Sequence, residues 1–279
     1  MGKWSRSVAL TKMSFHVIRK DKEMLLFPVI SGLVSLVVMA SFFGSFFFLS
    51  GFDLGGVMNT PLIYVFLFLF YLVSYFTVIF FNVALVACAM KRMDGGDPTV
   101  GYGLTFAAGR IKVIFQWAMV AATVGLVLNA ISNRSGVAGK IIIGFIGAAW
   151  SIATYFVVPV IAFENIGPFQ AIRKSLGIFK GTWGESLLSN LGMGLIFFAL
   201  ALLGIVPIVL AAMFGGITGV VIALVAVIVY WVFLAILYST ASTVLMTALY
   251  RYATTGKVSE EFPAGVIKNP MTAGQVGWK

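Results

Sequence analysis

The lysines and arginines of this chain fall almost entirely on one side of six apolar runs, and no other feature constrains the fold so tightly. The runs lie at about 25–50, 62–90, 113–131, 141–163, 187–213 and 217–250. Each holds the roughly 17–20 apolar residues that a helix needs to cross the hydrocarbon of a bilayer. Lys3, Arg6, Lys12, Arg19, Lys20 and Lys22 precede the first run, and Lys91, Arg92, Arg110 and Lys112 separate the second from the third. Arg173, Lys174 and Lys180 separate the fourth from the fifth, and Arg251, Lys257, Lys268 and Lys279 follow the sixth. The alternate connections carry only Arg134 and Lys140. Basic residues are retained on the cytoplasmic face during insertion, so the pattern predicts both termini in the cytoplasm. The expected fold is all-α, a polytopic protein of the cytoplasmic membrane with six transmembrane helices. Its single membrane domain occupies 1–250, and a cytoplasmic tail follows at 251–279.

Composition agrees. The chain is 61% hydrophobic and 10% charged, whereas about a quarter of the residues of a soluble domain are charged. A net charge of +10 would suit nucleic acid, but the bases are distributed as topology signals and leave no basic face interleaved with exposed aromatics. What the charge does support is attraction to anionic headgroups, at about 1 kcal/mol per basic residue near the surface. Cys88 is the only cysteine, so no intramolecular disulfide forms. The first run is too long for a signal-peptide core and reads as a span. The outer connections, at about 51–61, 132–140 and 214–216, are too short for an extracellular domain. Recognition is therefore expected within the bilayer or the cytoplasm.

Three inner segments look alike. Ser14-Phe15 is followed by Arg19, Thr105-Phe106 by Arg110, and Ser175-Leu176 by Lys180. Pro98 and Pro168 stand at the same distance before Thr105 and Ser175, where proline suits a first helical turn, with Asp97 as a cap before Pro98. Phe169, Ile172, Leu176 and Phe179 recur at helical spacing, with Arg173, Lys174 and Lys180 elsewhere around the helix. A helix of that character lies in the interface, apolar side down. The expectation is three repeats, each an in-plane elbow helix (near 7–22, 98–111 and 168–182) followed by a two-helix hairpin. Ala121-x-x-x-Gly125 and Gly144-x-x-x-Ala148 suggest close packing in the middle hairpin. Pro159 and Pro207 are expected to kink their spans. The inner end of the last run, from Tyr238 to Tyr250, is more polar than its outer half and is expected to face other helices.

Catalytic chemistry finds little here. His16 is the only histidine, and no His/Cys cluster, nucleophile elbow or nucleotide loop occurs. No cofactor, metal or catalytic residue is expected. Asp94 and Asp97 flank Gly95-Gly96, which reads as a turn rather than a cation site. The span interiors hold no acid or base, as coupled carriers generally do. Their neutral polar groups, Ser151, Thr154 and Tyr230 among them, read as bonds between helices. The densest constellation lies at the third elbow. Arg173, Lys174, Lys180 and the interface-suited Trp183, with Arg19 and Arg110 of the other elbows, are candidate contacts for lipid or a protein partner. Glu164 and Glu185 are candidate structural ion-pair partners for those bases.

The stretches "WAMVAATVGLVL", "GAAWSIATYFVVPVIAFENIGPFQAIRKSLGIFKGTWGE" and "SNLGMG", with "RKDKEMLLFPVISG" before them, resemble a family of prokaryotic six-helix membrane proteins of unknown function. More distantly, Glu164, Gly167, Ala171 and Ser175 before a tryptophan are similar to the membrane domain attached to some glycerophosphodiester phosphodiesterases. Catalysis there belongs to a separate soluble domain that has no counterpart here. The resemblance implies an archaeal or bacterial cytoplasmic membrane and an all-helical fold, and it transfers no substrate or catalytic residue.

The function read from the chain is a non-enzymatic scaffold or accessory protein organising membrane lipids, anionic ones among them, or partner proteins at the cytoplasmic face. A homo-oligomer is a further expectation. The alternative is a transporter or flippase for an amphipathic substrate. Topology is tested by cysteine substitution. Asn59 and Ser135 are expected to label from outside and Gly95 and Gly256 to be protected, and the reverse pattern would invert the threading.

Overall fold

The computed structural model describes the backbone of residues 3–49 and 61–256, and the side chains of these apart from 3–10, 49 and 182–191. Among the described residues the regular structure is helical. It comprises α1 (Lys3–Lys20), a 3-10 turn (Lys22–Leu25), α2 (Leu26–Leu49), α3 (Leu62–Met93), α4 (Val100–Ala108) and α5 (Ile111–Arg134). Then follow α6 (Val137–Ala153), α7 (Val157–Glu164), α8 (Pro168–Leu203), α9 (Ile205–Phe214) and α10 (Gly216–Thr255). Six stretches are long and apolar enough to cross a membrane: Lys22–Phe48, Leu62–Met93, Ile111–Arg134, Val137–Glu164, Gly192–Phe214 and Gly216–Thr255. They coincide with the six apolar runs and are spans 1–6 below. The described residues group into two units, one from Leu26–Cys88 and Pro98–Gly181 (the mid-chain unit), the other from parts of Met1–Leu25, Ala89–Asp97 and Thr182–Lys279 (the terminal unit).

In the mid-chain unit, α4 begins at Thr99, whose side chain accepts a hydrogen bond from the Tyr102 N–H. Threonine caps a helix well because its oxygen satisfies one of the first-turn donors. The cap expected from Asp97 is thus displaced by two residues. Gly103 and Ala107 form the buried face of α4. A Cβ on Gly103 would lie 2.7 Å from Phe27 Cζ, 2.8 Å from Cys88 Sγ and 2.9 Å from the Ala84 carbonyl. Glycine is what lets α4 approach spans 1 and 2 so closely, and the Cys88 thiol donates to the Thr99 carbonyl at 3.6 Å.

Spans 3 and 4 are neighbours through α5 and α6, but not by the small residues expected to join them. The space before Gly125 is filled by the Tyr75 ring of span 2, whose hydroxyl lies 3.2 Å from where a Cβ would stand. Gly144 has open space around it. Stacking of Trp117 on Trp150, centroids 5.9 Å apart, makes the contact instead. Small-xxx-small spacing marks a surface that permits close approach, and here an aromatic ring occupies it.

Span 4 is broken where its proline requires. Pro159 has no N–H for the Tyr155 carbonyl, and the helix is interrupted at 154–156 between α6 and α7. Tyr155 N–H turns to the Ile152 carbonyl at 3.3 Å. This displaces the Phe156 N–H, which donates to Ser175 Oγ at 2.9 Å in a buried setting. Phe156 and Ser175 are both fully buried. Without that hydroxyl, a buried donor would go unsatisfied at a cost of about 1–3 kcal/mol.

The terminal unit repeats the device at span 5. Pro207 offers no donor to the Leu203 carbonyl, and the helix breaks at Gly204, whose N–H bonds to Ala201 at 3.1 Å. The Leu200 carbonyl accepts instead from the Tyr230 hydroxyl at 2.7 Å, and that of Ala201 from Trp231 Nε1 at 3.1 Å. Tyr230 therefore acts as a bond between helices, as its place in an apolar span suggested, whereas Ser151 and Thr154, expected to do the same, donate to the Gly147 and Trp150 carbonyls of their own helix. α10, at 40 residues, measures about 60 Å at 1.5 Å per residue and outruns a hydrocarbon core of about 30 Å. Its C-terminal part, from Thr240 to Tyr250, holds most of its buried residues, and α10 packs against α1 and the 3-10 turn. Phe197 sits between Phe15 of α1 (6.0 Å) and Tyr238 of α10 (5.3 Å).

Two of the expected elbows, α1 and α4, are separate helices. The third is not, because Pro168 opens α8 and the helix runs on to Leu203 without interruption. Gly181 and Gly184 lower helix propensity by about 1 kcal/mol each, but no proline follows closely to end the helix there.

Packing at Gly103 yields a clear expectation. Gly103→Ala should lower the thermal midpoint in detergent, with a loss of about 1–3 kcal/mol. Gly101→Ala, which meets only Thr99 Oγ1 at 4.0 Å, should leave it unchanged. Equal midpoints for the two variants would show that α4 does not dock through this glycine.

Candidate functional site

Bases near the helix ends divide into those spent on neighbours and those turned outward. In the mid-chain unit the focus is the C-terminus of α7, where the last carbonyls lack intrahelical partners. Arg110 Nε donates to the Ala162 carbonyl at 2.9 Å, placing a cation where the helix dipole favours one. Its guanidinium carbon stands 5.2 Å from the Phe106 ring centroid, and Phe106 packs on Phe163 at 5.7 Å. Asn165 then ends α7 in the left-handed region, φ 52°, a conformation its short polar side chain tolerates.

Lys174 Nζ lies 2.6 Å from Glu164 Oε2, with 35% and 20% of the side chains exposed. A pair this accessible contributes at most about 1 kcal/mol, so it orients the start of α8 more than it stabilises the fold. Ala171, Ser175, Ile178 and Phe179 face inward. Phe169, Arg173 and Lys180 are exposed and share one face, as residues four and seven apart on a helix do. The continuous apolar stripe expected along this segment is therefore split. Phe179, 7% exposed, packs on Tyr155, while Phe169, 73% exposed, turns outward beside Arg173. Arg19 is exposed on α1. Trp183 and Glu185 lie outside the described side chains.

In the terminal unit, an ionic cluster that sequence reasoning missed joins three chain segments. Arg92 Nη2, at the end of α3, bonds to Asp21 Oδ2 at 3.3 Å and also to Asp97. Arg251 Nη2, near the end of α10, bonds to Asp94 Oδ1 at 2.7 Å. Backbone geometry sets this up. Gly95, at φ 82°, takes the left-handed position that ends α3, its N–H reaching the Arg92 carbonyl while the Gly96 N–H reaches that of Lys91. This 6→1 and 5→2 pairing closes a helix and reverses the chain. Asp94 and Asp97 flank the reversal as expected of a turn, but both also serve as ion-pair acceptors. The available signal was the scarcity of acids, 9 against 19 bases, with three of them next to the basic ends.

Asp21 is 5% exposed and Arg92 17%. Burial pushes the Asp21 carboxyl above its ordinary value, and Arg92 opposes the shift. Arg92 Nε and Arg251 Nη1 are buried with no partner among the described residues. No group of three His, Cys, Asp or Glu side chains among the described residues is placed to hold a metal ion. The arrangement ties helix ends together.

The fold and these helix ends define a multi-pass, all-helical membrane protein. The chain belongs to the family of unknown function DUF6159, which matches residues 62–260. That range contains the stretches from Trp117 to Gly194, while "RKDKEMLLFPVISG" precedes it. No curated protein matches the chain.

The Asp21 shift predicts a pH dependence. A carboxyl whose folded value is raised contributes stability below its unfolded value, ordinarily 3.8, and that contribution is lost as pH rises through the folded value. Asp21→Asn should remove this slope from denaturation curves in detergent. Arg92→Ala should steepen it and cost about 3 kcal/mol by stranding a buried carboxylate. Superimposable slopes for all three proteins would place Asp21 in water.

Proposed function

We propose that this protein is a non-enzymatic scaffold of a prokaryotic cytoplasmic membrane, organising lipid or a partner protein at its cytoplasmic face. The observation that carries the reading is the outward face of α8, where Phe169, Arg173 and Lys180 are exposed together. Lys174, in contrast, is held by Glu164. Bases beside an exposed aromatic suit a surface of anionic headgroups over acyl chains. Positive-inside partition supports cytoplasmic termini. Under this reading α1, α4 and the start of α8 are the elbows of three elbow-plus-hairpin repeats, and a second copy of the chain is an admissible partner. The likeness to the membrane domain of glycerophosphodiester phosphodiesterases is part of the same proposal and brings no activity with it.

Transport is the second reading, favoured by the broken spans 4 and 5. Discontinuous helices line the midplane sites of many carriers. Against it, hydroxyl and indole groups from neighbouring helices answer backbone groups freed at both breaks, which leaves fewer of them to coordinate a substrate.

The test is Arg173→Glu with Lys180→Glu, purified in mild detergent and assayed by mass spectrometry for co-purified lipid and protein. Loss of bound anionic lipid or of a partner, with normal insertion and melting, supports the scaffold. Unchanged lipid and partners would reduce this face to architecture.

A further inference from the structure

We infer that the N-terminal end of span 3 holds one anionic phospholipid, its phosphate on Arg110 and Lys112 and an acyl chain along Ile111, Phe115 and Met119. This rests on the reading of the basic face as a lipid-organising surface, and it names the lipid class and a different place for it.

The argument starts from Arg110. Most surface arginines sample many rotamers, and binding must restrict them at a cost of about 0.5–1.5 kcal/mol per side chain. Arg110 has already been restricted. Its Nε is engaged by the Ala162 carbonyl at 2.9 Å and its plane is held near the Phe106 ring. Neither Nη has a partner among the described residues, and the side chain is half-buried rather than enclosed. Two N–H groups of a fixed guanidinium fork remain for an acceptor, and the fork matches two oxygens of a phosphate. An adjacent aromatic face further favours the cation without consuming its donors.

What lies next to this fork selects the occupant. Lys112 is exposed at the same end of α5, and its long flexible stem can carry a second positive charge to the level of the headgroup. Ile111, Phe115 and Met119, at 53%, 46% and 41% exposure, recur every four residues and continue from the basic end as one outward stripe. Gln116 is the polar residue beside them. A free phosphate would use the two bases and leave the stripe idle, and an acidic peptide would place charge against it. A phospholipid fits both parts, with headgroup at the bases and chain along the span. The positive pair makes an anionic headgroup better than a zwitterionic one, whose own ammonium would oppose Lys112.

Native mass spectrometry of the full chain, delipidated and then returned to bilayer discs, provides the test. Discs of phosphatidylglycerol are compared with discs of phosphatidylcholine. The wild type is expected to retain one phosphatidylglycerol per chain and at least tenfold less phosphatidylcholine. Lys112→Glu, an exposed change that leaves packing alone, should cut retention tenfold or more, and Arg110→Lys should weaken it by removing the fork. Lys140→Glu, an exposed change at the start of α6, is the control and should have no effect. Equal retention of the two lipids, or full retention by Lys112→Glu, would overturn the site. So would displacement of nothing but inorganic phosphate from the wild type. If Arg173→Glu with Lys180→Glu removes the lipid and Lys112→Glu does not, this site falls while the scaffold reading stands. Loss in neither, with no partner changed, removes both.

Discussion

Everything in this fold answers to the cost of an unbonded peptide group in hydrocarbon. Each such group costs several kcal/mol, so a helix that breaks at membrane depth must find replacements for the bonds it loses. Spans 4 and 5 break because Pro159 and Pro207 withhold a donor. Their neighbours then supply Ser175, Tyr230 and Trp231 at the positions that the breaks expose. The polar residues scattered through an otherwise apolar chain are thus placed by the backbone. Ser175 shows the consequence for the surface as well: because it faces span 4, residues 173 and 180 of the same helix must face away from it.

A second constraint acts at the helix ends, where charge replaces apolar packing as the organising force. In each unit a base completes a helix terminus. Arg110 binds the last turn of α7, and Arg92 and Arg251 hold the carboxylates around the reversal that ends α3. Lysine and arginine in these segments therefore act in the finished structure as well as in the charge pattern along the chain. Arg92, Lys174 and Arg251 are spent on the structure, Arg110 is engaged there through its Nε, and Arg19, Lys112, Arg173 and Lys180 are turned outward.

Spans were legible in the sequence because they depend on local composition, and so were the two broken helices, because proline acts within one turn. Pro168 opening α8 and the burial of the last helix from Thr240 to Tyr250 were readable for the same reason. Pairings between distant segments were not. Asp21 and Arg92 are 71 residues apart, and no local rule selects that partner from 19 bases. The small-residue pattern at Gly125 indicated a place for close approach but not which helix would fill it, and Tyr75 arrived from span 2. Asp97 was a reasonable cap by residue type. Thr99 capped the helix instead, and Asp97 bonded to Arg92. The fixed orientation of Arg110 depends on its Phe106 and Ala162 contacts, which sequence spacing does not reveal.

The packing of α1 on α10 has a consequence for synthesis. α1 is synthesised before α10, whose buried C-terminal part begins more than 200 residues later. At roughly 5–20 residues per second, α1 waits on the order of ten to fifty seconds for its partner. During that interval α1, with Val17 and Ile18 on its buried face, has nothing of α10 to pack on, and the membrane surface or a chaperone must shelter it. A chain stalled or cut before α10 would keep α1 undocked from it, offering quality-control proteases a handle absent from the folded protein.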